Sequence, residues 1–328
     1  MDQRTLLLSP RGSYGFGMVL AYLRSSPSAI VERVTAHGFR RALDIGPGVV
    51  ASIEREELLP SPDPLRVTIQ ADHLTPDLID RAVTRIRALL LLDVEGTSIE
   101  NHLADRDPAL RRYIQQYRGF RPILLGSPWE ALLWAIVGQL IGVEQARAIK
   151  ERLVTQGAEA VWIDGVAWPL PPNPAWVLRS GVDALRRLGL SRIKAEAIYG
   201  VADAVRRGGL DLRPDPPAPT IKSTLSHLGT ITGIGSWTTA IVALRGYGQL
   251  DVLPDGDASL QSIVARHQSP AEVRLTAKAL RVHGAIWSPY RGWATYLWWL
   301  QLQAEALARR AEAIHGKGGV HEDYSRRV

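Results

Sequence analysis

The sequence predicts an α+β opening region that gives way to a mostly α-helical one. Three observations carry this. Runs with strand character, alternating or β-branched, are confined to about the first 95 residues. From about residue 96 the apolar residues recur at helical spacing instead. A turn bearing two glycines, Ile231-Thr-Gly-Ile-Gly235, then separates two helical stretches over about residues 224–245.

In the opening region, residues 5–8, 42–45, 48–53 and 65–70 read as strands, and 17–23 and 76–91 as helices. Thr75 is placed to N-cap the second helix, with Pro76 at its first position. Further on, Ser127-Pro-Trp-Glu130 is a capping box that opens a helix whose Trp129, Leu132, Leu133, Ile136 and Val137 form one apolar stripe. Residues 138–142 break that helix and 143–156 resume it. Residues 157–177, rich in proline, read as an irregular excursion. Helices follow over 192–207, 257–267, 270–283 and 289–314. The expected organisation is an α+β region over 1–95, a helical region over 96–315 and a flexible tail over 316–328.

The chain of 328 residues has room for two or three modules, and 46% hydrophobic content suffices for a core. A net charge of +6 suits a polyanionic partner without requiring one. The lack of cysteine excludes disulfides, a thiol nucleophile, thiolate metal sites and a four-cysteine iron–sulfur cluster. The eight histidines show no metal-ligand spacing, so no catalytic metal is expected. No secretory cleavage pattern follows Met1, and the apolar run 88–92 is too short to span a bilayer. The expectation is a cytoplasmic monomer that makes no use of a membrane.

Gly233 and Gly235 allow the turn backbone to take positive φ and to approach another surface closely. The amides of Gly235, Ser236 and Trp237 then open a helix, and such an end suits a phosphate oxygen. A grip of this kind holds a DNA backbone without reading its sequence. Asp257, 22 residues beyond Gly235, lies on an isolated acidic turn. Its position fits a helix N-cap and a reacting carboxylate equally well. Trp237, Ala240, Ile241 and Leu244 share one helix face, so Trp237 belongs either to a core or to a pocket. Six aromatic residues crowd into 287–299 and include four of the ten tryptophans; at least half of these rings are expected in the core. Arg192 and Lys194 lie in a stretch, 179–213, with eight Lys/Arg against four Asp/Glu, and could touch phosphates or form a solvated face.

The hairpin resembles that of the helix-hairpin-helix DNA repair glycosylases, and four further segments narrow the resemblance to the AlkA-type 3-methyladenine DNA glycosylases. They are Ala135-Ile-Val-Gly-Gln-Leu-Ile-Gly142, Leu188-Gly-Leu-Ser-Arg-Ile-Lys-Ala-Glu196, Leu253-Pro-Asp-Gly-Asp257 and Trp287-Ser-Pro-Tyr-Arg-Gly-Trp-Ala294. All lie in that family's order. The first 90 residues match more loosely, through an opening strand and Tyr14-Gly-Phe-Gly-Met18.

The resemblance implies an opening antiparallel sheet like half of a TATA-binding-protein fold, and a DNA glycosylase that flips alkylated purines out of double-stranded DNA. It makes Asp257 the catalytic acid, with Asp255 as fallback in a solvated turn. Trp237, Trp299 and Tyr290 would form the base pocket, where electron-rich rings attract a cationic alkylated purine. Leu140, beside Gln139, would wedge into the duplex. Trp237 stands where bifunctional relatives carry a lysine, which implies hydrolysis by water without strand cleavage. Carbonyls of Gly229, Ile231 and Ile234 match positions that hold a monovalent cation, Na or K, and no other cofactor is implied. Two alternatives remain at this point: a non-catalytic DNA-binding module, and a glycosylase for deaminated bases, which would need polar groups to read an uncharged edge.

Overall fold

The computed structural model describes residues 1–26, 30–46, 48–56, 60–157, 159–214, 216–268 and 274–318, with backbone alone for 310, 311 and 313–318. The opening region contains β1 (Asp2–Leu8), α1 (Phe16–Ser25), β2 (Arg33–Val34), β3 (Gly38–Leu43), β4 (Val49–Glu54), β5 (Leu65–Ala71) and α2 (Pro76–Leu89). The five strands form one sheet in the order β1-β5-β4-β3-β2, and every pairing is antiparallel. Phe39, Ile53 and Val67 line up across neighbouring strands and point into one core, as alternation requires. Thr75 caps α2, its hydroxyl accepting from the Leu78 amide at 3.2 Å.

A mainly helical region follows. Its elements are α3 (Gly96–Arg106), α4 (Pro108–Gln116), α5 (Pro128–Gly138), α6 (Val143–Gly157), β6 (Ala160–Ile163), β7 (Val166–Pro169), α7 (Pro174–Arg187) and α8 (Arg192–Arg206). Then come α9 (Ala218–Leu228), α10 (Ser236–Ile241), a π turn (Val242–Gly246), α11 (Ala258–Gln268), α12 (Ala277–His283) and α13 (Arg291–Gly318).

The expected excursion at 157–177 is instead a β-hairpin and the start of α7. Asp164 and Gly165, with φ of 50° and 72°, make the two-residue turn that suits strand twist. Val161, Ile163 and Trp168 cover Ala42 and Val50 on the sheet's second face. The prolines that masked this hairpin stand at its end and ahead of α7, where their fixed φ costs no hydrogen bond.

The expected single stripe of α5 is also corrected. Every residue from Pro128 to Val137 is buried, because α6, α8, α10 and the π turn surround the helix. Ser127 caps it at 3.1 Å, while the Glu130 carboxylate turns to the Gly126 amide and to buried Arg41 on β3. At the other end of the chain, α13 continues through Gly318. Residues 319–328 of the expected tail, and 269–273 of an expected helix, lie outside the described residues. The main core joins the sheet, α1 and α2 to Leu260, Trp293 and Tyr296 of α11 and α13. Among the described residues no helix is long and apolar enough to cross a membrane.

Candidate active site

The glycine turn between α9 and α10 has the expected place, and its two glycines differ. Gly233 is at φ +86°, and a Cβ there would stand 3.1 Å from the Ala197 Cβ and 3.2 Å from the Ile193 Cγ2. Gly235 is extended (φ −97°, ψ −179°), with no atom within 4 Å of such a Cβ, so the positive φ expected of it is not found. Its use is open space on the solvent side. No side chain caps α10, and Gly235 and Ser236 are exposed, so the amide end of the helix faces outward. Buried Ile234 anchors the turn from within. The Ile231 carbonyl already accepts from the Ile234 amide at 3.0 Å, which leaves one of its lone pairs for any cation held with Gly229 and Ile234.

Gln139 ties this turn to the break between α5 and α6. Its Nε2 donates to the Gly233 carbonyl and to Thr238 Oγ1, both at 2.9 Å. It acts as a strut, with its amide committed inside the protein. Next to it Leu140 is fully exposed at φ 54°, a conformation a branched apolar residue avoids unless its surroundings impose it.

Between these features lies a cavity of about 410 Å³. Its wall includes Tyr22, Trp134, Trp237, Ile241, Asp257 and Trp299. Asp257 is 8% exposed and its carboxylate is held by three donors. Oδ1 accepts from the Leu260 amide and from Ser259 Oγ, both at 2.8 Å, and Oδ2 accepts from Trp237 Nε1 at 3.1 Å. Capping and pocket lining therefore coexist in one side chain. Of roughly four acceptor directions on a carboxylate, three are used. Asp255 is not a solvated turn residue: its carboxylate pairs with Arg281 and is absent from the cavity wall.

Tyr290 does not line the cavity. It packs edge-on against His102, with ring centroids 5.0 Å apart, just ahead of α13. Nine residues separate it from Trp299, which at about 100° per residue is half a turn out of phase and roughly 13 Å along the axis. Trp287, Trp293, Tyr296 and Trp298 are fully buried core rings, and Tyr296 holds Trp299 edge-on at 5.4 Å.

Lys194 is not placed for a phosphate. It is buried, and its Nζ donates to the Val137 carbonyl at 2.9 Å, closing the C-terminal end of α5. Arg192 is exposed and pairs with Glu196 one turn on, at 2.8 Å. The other acids of that stretch, Asp183, Asp203 and Asp211, are likewise paired with neighbouring arginines.

Three charged residues of the wall, Glu144, Lys150 and Arg245, were not anticipated. The signal for Lys150 was present: it shares the buried face of α6 with Ala146, Ile149 and Leu153. Arg245 follows Trp237 and Ile241 at four-residue steps on one helix face. Among the described residues no cluster of His, Cys, Asp or Glu could hold a metal ion.

Residues 5–122 match the AlkA N-terminal domain family. DNA-3-methyladenine glycosylase 2 of Escherichia coli is 27% identical over 88% of this chain and 94% of its own length. The chain is similar to AlkA over most of its length. It is also 27% identical, over 91% of its length, to an AlkA relative of Mycobacterium tuberculosis, but it spans only 57% of that protein. In fold, this chain matches a 3-methyladenine DNA-glycosylase from Archaeoglobus fulgidus with a TM-score of 0.72 at 20% identity, over 90% of this chain and 97% of that one. MBOgg1, solved with a DNA ligand, matches with a TM-score of 0.69 at 20% identity, over 93% and 99% of the two chains.

Proposed function

We propose that this chain is a monofunctional DNA glycosylase of base excision repair that hydrolyses alkylated purines, of the 3-methyladenine and 7-methylguanine type, from double-stranded DNA. The observation that carries this is the Asp257 carboxylate, held by three hydrogen bonds beside Trp237 in an aromatic cavity. A fixed negative charge stabilises the positive charge that develops on the sugar as the base departs. The base takes the bonding electron pair and loses its charge, the hydroxyl of water joins C1′, and the water proton passes to solvent by way of Asp257. Trp237 and Trp299 stack on the flipped base and favour a cationic one. Leu140 fills the gap in the duplex, and the open amide end at Gly235 and Ser236 holds a phosphate. Carbonyls of Gly229, Ile231 and Ile234 are the place for a monovalent cation between turn and phosphate. The working form is a monomer in the nucleoid.

Release of free bases from methylated duplex DNA, with wild type beside Asp257→Asn, tests the reading. Asparagine retains the helix cap. The expected result is release by wild type, a loss of at least about 10²-fold in the variant, and unchanged DNA affinity. Tight duplex binding with no release by wild type would favour a non-catalytic DNA-binding module.

A further inference from the structure

Bases stacked between indole rings are selected by charge and ring area, yet the cavity wall is not purely aromatic. α6 contributes Lys150, 4% exposed, with Nζ 5.7 Å from the ring centroid of Trp134, itself part of the wall. We propose that Lys150 is a specificity-determining residue of this pocket: as an ammonium it donates to a carbonyl oxygen of a neutral oxo-purine and repels a cationic alkylated purine, and as a neutral amine it admits both. This rests on the glycosylase reading above.

The physical basis is a charge enclosed with the base. A unit charge within several ångströms of a second acts through an effective dielectric constant of about 20 rather than 80, and the effect exceeds a factor of ten. An ammonium can also donate to an exocyclic oxygen, which an aromatic wall cannot. The groups that bear on Lys150 come from every side. Glu130 of α5 favours its charge, and Glu144 of its own helix lies on the same cavity wall. Arg245 of the π turn and Arg147 of α6 oppose it, and Asp257 lies on the same cavity. Burial, and then Arg245, hold its pKa down to about 7, so the ammonium and the amine exchange within the range in which the protein can be assayed.

Initial rates of release of 3-methyladenine (cationic in DNA) and hypoxanthine (neutral) from otherwise identical duplexes, between pH 6 and 8.5, give the decisive ratio. In wild type the ratio of 3-methyladenine to hypoxanthine rises at least about tenfold across that range. Lys150→Met fixes the ratio at its high-pH value, and Lys150→Arg, which cannot lose its charge, fixes it at the low-pH value. Should the methionine variant fail to fold, by loss of its cooperative melt, the arginine variant carries the test alone. Equal pH profiles in wild type and the folded variants overturn the specificity role while leaving the glycosylase reading intact. No release of either base by wild type overturns both.

Discussion

Leu140 shows how much one side chain can reveal when it breaks two rules at once. It is an apolar residue with no burial, and a residue other than glycine at φ 54°. Holding that backbone costs about 1–2 kcal/mol for a residue with a Cβ. Leu140→Gly removes the strain and adds a comparable cost, about 0.5–1 kcal/mol, through the freedom glycine gains in the unfolded chain. The melting temperature should therefore stay within a few degrees or rise, while base release falls at least about tenfold if Leu140 is the wedge proposed above. A variant that melts lower and reacts normally would make Leu140 a structural residue after all. The wedge role proposed for Leu140 comes from family resemblance alone, since an apolar residue in a helix break is otherwise read as buried; what the structure adds is its exposure. Asp257 was legible as a cap by its spacing, but its bond to Trp237 joins residues 20 apart and has no local sequence signal.

The elements around the site hold its geometry with side chains that look like surface residues. Lys194 sits in a charge-rich stretch, yet it closes the end of α5 by donating to Val137. Lys194→Met keeps the apolar stem and removes the donor, so it should cost about 1 kcal/mol of stability. The salt dependence of duplex binding should not change, whereas loss of a true phosphate contact would lower the log–log slope by about 0.9. Comparing affinities at several salt concentrations decides between the two. The two hairpin glycines make a similar contrast. Gly233→Ala places a Cβ at φ +86° against Ala197 and Ile193 and should destabilise by roughly 1–2 kcal/mol. Gly235→Ala meets nothing in the protein and should change stability by less than about 0.5 kcal/mol, while its methyl, standing in open space, weakens duplex affinity. Thermal melts beside affinity measurements separate them, and equal loss of stability in both would refute the assignment. From sequence the two glycines were indistinguishable, because the difference lies in what faces each, namely α8 in one case and solvent in the other.

At the scale of the whole molecule, the sequence showed the change from strands to helices near residue 95 and left hidden how the two regions are joined. The seam is built from buried polar groups. Arg121, fully buried, donates to the carbonyls of Leu91, Val94 and Ser13. Gly119 at φ +76° accepts from the Gly15 amide at 2.6 Å, and its own amide donates to Glu100 at 2.9 Å. None of these bonds follows from periodicity, since each joins segments far apart in the chain. α1 crosses the same divide by supplying Tyr22 to the cavity wall, so the sheet region is part of the site and not an appendage. The seam also predicts a pH dependence of stability. Burial raises the Glu100 carboxyl from 4.5 to about 7, against the opposing pull of the Gly119 amide, Arg118 and Arg121. Below about pH 4.5 the group is protonated in both the folded and unfolded chain and its ionisation has no effect. Between 4.5 and 7 only the unfolded chain releases the proton, so the contribution of Glu100 declines as pH rises and is fully lost above about 7. Glu100→Gln keeps an acceptor for the Gly119 amide and cannot ionise. It should match wild type at pH 4.5 and exceed it at pH 8, by an amount on the order of 2 kcal/mol. Denaturant melts at the two pH values measure this directly. An equal offset at both would place the cost of Glu100 in packing and remove ionisation from the account of the seam.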